Sequence, residues 1–106
     1  MAWAYLFAAG ILEIIWATFM KQSEGFTRPT PTTLTFVFMA ASIWLLGLAM
    51  KQLPLGTAYA IWTGIGAIGA FVVGVAMMGE AVTPLRVGSA ALIVLGLVGL
   101  RLATPG

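Results

Sequence analysis

Apolar residues run almost unbroken along this chain, and the charged ones gather at a few breaks. Residues 1–20 hold a single charge, Glu13, before Lys21. Residues 29–50 hold none before Lys51, and residues 52–79 hold none before Glu80. Residues 83–102 hold Arg86 near one end and Arg101 near the other, where long side chains snorkel to the interface. A bilayer core about 30 Å thick takes roughly 20 helical residues. Turn-forming residues mark the breaks: Gly25 and Pro29, then Pro54 and Gly56, then Gly79 and Pro84. The pattern predicts an all-α membrane protein with four transmembrane helices, at about residues 2–20, 30–50, 54–78 and 84–102. These form a single domain over residues 1–106, with 104–106 as a tail. The first segment reads as a mature helix and not a signal peptide: it lacks a positive leading region and a small-x-small cleavage site, and it carries Glu13 inside its apolar run.

Composition narrows the function. Of the 106 residues, 61% are apolar and 8% charged, against about 25% charged in soluble domains. The mean hydropathy is +1.08. Cys, His and Asp are all absent, so neither a metal site of the usual ligand types nor a Ser-His-Asp or Cys-His nucleophile can be built. We expect no metal, no cofactor and no enzyme. Five scattered basic residues and a net charge of +2 are too little for a nucleic-acid surface; lipid is the expected surrounding. With four spans, Lys51 and Arg101 share one side with both termini, while Lys21, Arg28 and Arg86 lie opposite. Orientation follows the Lys/Arg difference between sides, and here it is one residue. The chain therefore reads as dual-topology, copies inserting both ways and pairing as an antiparallel homodimer that imitates the inverted repeats of larger transporters. The alternative is a weak preference set by the first helix.

Glu13 is the informative residue. It lies about 15 Å along the first helix from Trp3, near the bilayer midplane, where an ionised side chain costs at least a few kcal/mol (about 2.5 or more) and usually faces a cavity or partner. Such a group either binds a proton or a cation, or serves in neutral form as glue between helices. Gly10, Glu13, Trp16 and Ala17 share one helix face. Trp16 either donates its indole N–H to the carboxylate, turns its ring to a cation, or simply packs. Trp3, at a helix end, reads as an interfacial belt residue. Tyr59 and Trp62 share a face of the third span, among Gly56, Gly64, Gly66, Gly69 and Gly74. The stretch from Gly64 to Gly66 is either a bend or a site of close packing. Ser42 either bonds Glu13 across helices or back-bonds within its own helix. In the fourth span Gly88, Gly96 and Gly99, with Ser89, Ala90 and Ala91, make a small-residue surface that suits either dimerisation or packing against lipid. Glu24 and Glu80 fall in loops and are expected to be solvated.

Three stretches carry a resemblance: G-I-L-E-I-I-W-A (Gly10–Ala17), K-Q-S-E-G-F-T-R (Lys21–Arg28) and L-P-L-G-T-A-Y-A-I-W-T-G-I-G-A (Leu53–Ala67). Together they resemble the small multidrug resistance family of bacterial four-helix exporters, over essentially the whole chain. Trp16 three residues after the glutamate, and Gly56-Thr57-Ala58 at the head of the third span, are similar to the guanidinium-exporting subtype. The resemblance implies an antiparallel homodimer in the bacterial inner membrane with one aqueous site between subunits. It further implies proton-coupled antiport of cations by alternating access. Glu13 would hold the proton and the substrate; Gly10, Trp16, Ser42, Tyr59 and Trp62 would line the site or hold Glu13. The dimer seam departs from the family pattern, since Ser89 stands where a glycine precedes Leu92, Ile93 and Gly96; a small serine should keep the dimer with looser packing. Guanidinium suits such a site, being a planar cation whose N–H forks match carboxylates. The expected partners are protons and guanidinium, with methylguanidinium or small quaternary ammonium ions as further cations. Rival readings are a promiscuous quaternary-ammonium exporter of the same family, a passive small ion channel, and one subunit of an obligate heterodimer. Crowding by Trp16 argues against the first, Glu13 against the second, and the lack of a strong Lys/Arg bias against the third.

Overall fold

The computed structural model describes residues 1–104; beyond Thr104, the expected tail lies outside the described residues. Four helices follow in order: α1 (Ala2–Gln22), α2 (Pro29–Ala49), α3 (Leu55–Met77) and α4 (Pro84–Ala103). Each is long and apolar enough to cross a membrane, so the chain is a four-helix, all-α membrane protein. The helices begin where local chemistry favours it. Pro29 and Pro84 open α2 and α4, a first-turn position where the missing N–H costs nothing. The Thr83 hydroxyl accepts from the Arg86 amide at 3.1 Å and caps α4.

The first break is a left-handed turn. Glu24, Gly25 and Phe26 all have positive φ, of 52°, 72° and 66°, which glycine adopts freely and the other two do not. Buried Ser23 compensates: its hydroxyl donates to the Met20 carbonyl (2.6 Å) and accepts from the Phe26 amide (3.1 Å). The amides of Thr27 and Arg28 close on its carbonyl. At the third break Gly79 takes φ +69°, and the amides of Met78 and Glu80 both bond the Gly74 carbonyl, ending α3.

α1 is central, packed between α2 and α3, whereas the backbone of α4 approaches α3 alone. The buried core joins Leu6 and Ala9 of α1, Leu46 and Ala49 of α2, and Ala58, Ile61 and Trp62 of α3. No residue of α4 is buried. Lipid is as apolar as leucine, so helices here associate by close packing at small residues. Three levels of the α1–α3 contact show it: Ile65 fills the space over Gly10, Glu13 that over Gly66, and Ile14 that over Gly69. On its other side α3 takes Leu97 of α4 over Gly64. α3 is a continuous helix through residues 64–66, and both glycines are occupied by neighbouring side chains. The chain folds into a slab of 41 × 35 × 16 Å, too thin to wall a site on all sides.

Candidate functional site

Glu13 is half-buried on α1, and its carboxyl lies directly on Gly66 of α3, where any Cβ would strike it. The backbone of α3 thus forms the floor beneath the carboxylate. Oε1 of Glu13 is buried without a hydrogen-bond partner among the described residues. So is the indole N–H of Trp16, one turn further along the same face of α1. Trp16 therefore does not donate to Glu13 within the chain. An unpaired buried polar atom costs about 1–3 kcal/mol, more if charged, and such atoms call for an explanation beyond packing.

Ser42 departs from both sequence expectations. It bonds neither Glu13 nor its own helix. Fully buried, its hydroxyl donates to the Ala9 carbonyl at 2.6 Å and accepts from the Trp62 indole at 3.0 Å. The reason is register: Ser42 faces α1 one turn before Glu13, and the Ala9 carbonyl is the helical acceptor for the Glu13 amide. One hydroxyl therefore ties α2 and α3 to α1 beside the carboxylate. Trp62 is buried and has used its only donor on Ser42, so its ring is what remains for a ligand. Tyr59, exposed on the same helix, has its ring 5.6 Å from that of Trp62 at an interplanar angle of 50°. Ser42, Trp62 and Tyr59 are thus linked to one another and to the α1 main chain at Ala9, while Glu13 meets α3 at Gly66 and Gly10 meets it at Ile65; Trp16 follows Glu13 one turn along α1.

Of this group the α4 residues meet only Tyr59, across a groove. Ser89 and Ile93 line a groove of about 410 Å³ against Ala67 and Phe71, and Ile93 and Gly96 line another of about 570 Å³ with Tyr59 and Thr63. Leu92 is 70% exposed. All four are exposed.

Glu80 is exposed, as its loop position had suggested, but it is also partnered. It pairs with Arg86 at 2.8 Å, and its carboxyl rests on Gly74. Arg86 also donates to the Ala81 carbonyl at 2.8 Å and sits 5.1 Å above the Phe71 ring. The pair closes across the turn that Gly79 permits, which no helical spacing signals. Glu24 is exposed in its loop. Gly66 as the seat of Glu13 is a close packing that the sequence had left open beside a bend, without naming the side chain received. The available signal was that α1 and α3 each carry their contact residues within one turn, Gly10, Glu13 and Ile14 against Ile65, Gly66 and Gly69.

Four apolar helices, with one carboxylate set half-buried among them, define a multi-pass membrane protein. Residues 1–97 match the family described as Small Multidrug Resistance protein. The chain is 52% identical over 104 residues to the guanidinium exporter of Escherichia coli (strain K12), covering 98% of this chain and 99% of that one. It is 53% identical over 104 residues to the guanidinium exporter of Yersinia pestis, covering 98% and 100%. Against that of Salmonella thompson it is 50% identical over 104 residues, covering 98% and 99%. The chain belongs to the small multidrug resistance family, and is a transporter of the bacterial inner membrane rather than an enzyme.

Proposed function

We propose that this protein exports guanidinium and small guanidinyl cations in exchange for protons, as an antiparallel homodimer working by alternating access. The observation that carries this reading is the buried, unpaired Oε1 of Glu13 beside the buried, unpaired indole N–H of Trp16. An acceptor at that depth suits a ligand that brings its own donors, and guanidinium brings them in planar forks matched to carboxylates. The relatives named guanidinium exporters support the same substrate.

A slab-like protomer with an outward α4 surface supports pairing through Ser89, Leu92, Ile93 and Gly96. The three-to-two division of Lys and Arg supports insertion in both directions. One Glu13 from each copy then grips the cation, with Trp16, Tyr59 and Trp62 as walls, Gly10 letting Ile65 of α3 pack close against α1 and Ser42 fixing Trp62. Bending at Gly64 and Gly66 carries the single four-helix domain between its two openings. When one monovalent cation replaces two protons, the exchange moves net charge, so membrane potential drives it along with the pH gradient.

The test is transport by purified protein in liposomes, comparing guanidinium, methylguanidinium and tetramethylammonium under imposed pH gradients. Guanidinium and methylguanidinium should move, coupled to protons. Tetramethylammonium moving equally well would make this a promiscuous quaternary-ammonium exporter. Uptake without proton coupling would make it a passive pore.

A further inference from the structure

The two arginines of α4 sit at its opposite ends in different circumstances. Arg86 is satisfied by Glu80, the Ala81 carbonyl and the Phe71 ring. Arg101 lies with its guanidinium 4.3 Å from the centre of the Trp3 ring, and no described residue accepts a hydrogen bond from it. Among the described residues its five N–H donors meet no acceptor. Beside it runs a groove of about 210 Å³ between α1, α3 and α4, lined by Phe7, Ile61, Ile65, Leu97, Val98 and, at the mouth, Arg101 itself.

We propose that this groove holds an anionic phospholipid, its phosphate on Arg101 and one acyl chain along Phe7, Ile61 and Val98. A guanidinium fork matches phosphate oxygens bidentately, and the apolar channel beneath it suits hydrocarbon. Trp3 holds the guanidinium from below, at the depth where aromatic rings meet headgroups. Charge agrees: among the described residues this end of the bundle carries Lys51 and Arg101 and no carboxylate, since Glu24 and Glu80 lie at the other end. Geometry agrees as well. Val98 is two residues past Gly96, about 200° round α4, so the groove faces away from the surface assigned to pairing and stays open to lipid. The site is separate from Glu13 and does not depend on what is transported.

Native mass spectrometry of the purified protein, offered phosphatidylglycerol and phosphatidylethanolamine of identical chains, tests this. The wild type should retain phosphatidylglycerol preferentially, one per protomer, and Arg101→Gln should lower that preference about fivefold or more. Arg101→Lys, which keeps the charge without the fork and guards against a folding defect, should fall between. Val98→Trp, filling the groove with Arg101 in place, should also release the lipid. Glycerophosphoglycerol, the headgroup without chains, should not displace it. Equal retention of the two lipids, an unchanged Arg101→Gln, an equal loss in Arg86→Gln, or displacement by the bare headgroup would each overturn the proposal. Dissociation of the protein in Arg101→Gln with lipid retention unchanged would overturn it in favour of a second copy as occupant.

Discussion

Replacing Gly66 by alanine tests the seat of the carboxylate most directly. The added Cβ would lie 2.7 Å from Cγ of Glu13 and closer still to the carboxyl group, whereas carbons rest at about 3.5–4.0 Å. Roughly 1 Å must be recovered. The helices cannot part easily, because Ile65 on Gly10 and Ile14 on Gly69 hold the same seam one turn to either side. The Glu13 side chain must therefore move, at an overpacking cost of about 1–3 kcal/mol, and its carboxylate leaves the position facing the cation. Loss of one charge-assisted hydrogen bond, about 1.5–3 kcal/mol, weakens guanidinium binding roughly 10- to 150-fold. Helix propensity works the other way, since alanine stabilises a helix by about 1 kcal/mol over glycine, so any loss must come from the contact. The assay is guanidinium binding by calorimetry alongside liposome uptake, with Gly64→Ala as the paired control. A Cβ on Gly64 meets the flexible side chain of Leu97 and is remote from Glu13, so its affinity should stay near wild type. Wild-type affinity in Gly66→Ala would refute the seat. Slower uptake in both variants at unchanged affinity would assign these glycines to bending alone.

The other expectations are briefer. Guanidinium and protons compete for Glu13, so apparent affinity should weaken as pH falls, in two macroscopic steps for a coupled pair; Glu13→Gln should abolish proton-driven uptake, and pH-independent binding in the wild type would remove Glu13 from the mechanism. Ser42→Ala leaves the Trp62 indole N–H buried without its acceptor, so unfolding in detergent should show a loss of about 1–3 kcal/mol, with guanidinium affinity reduced as the ring loosens; unchanged stability would mean that the hydroxyl contributes nothing net. Two lysines added beside Lys51 should force one orientation and silence the protein expressed alone, and an oppositely biased copy should restore export. Normal export by the single forced form would exclude antiparallel pairing.

The linear sequence determined the helices and the place of the acid. Backbone N–H and C=O groups find no water in hydrocarbon, so charge-free runs of membrane length must close their bonds as helices. Pro29, Pro84 and Gly79 mark starts and stops by steric rules that act locally. Glu13 stood out because a charge at mid-span is costly wherever the helix turns its faces. Tertiary structure decided which faces meet. Lipid and neighbouring helix are equally apolar, so hydropathy gives these helices no inner and outer side, and nothing in the pattern said that the backbone of α4 would approach that of α3 alone. Ser42 found a main-chain carbonyl, a partner that every residue offers and no spacing singles out. Gly66 could equally bend α3 or receive a neighbour, and only the register of α1 against α3 put the Glu13 carboxyl on it. Glu80 met Arg86 through a turn whose path rests on one positive φ at Gly79. Burial cost is a property of one residue and its depth, and sequence reports it; contact is a property of two surfaces and their rotation, which only packing fixes.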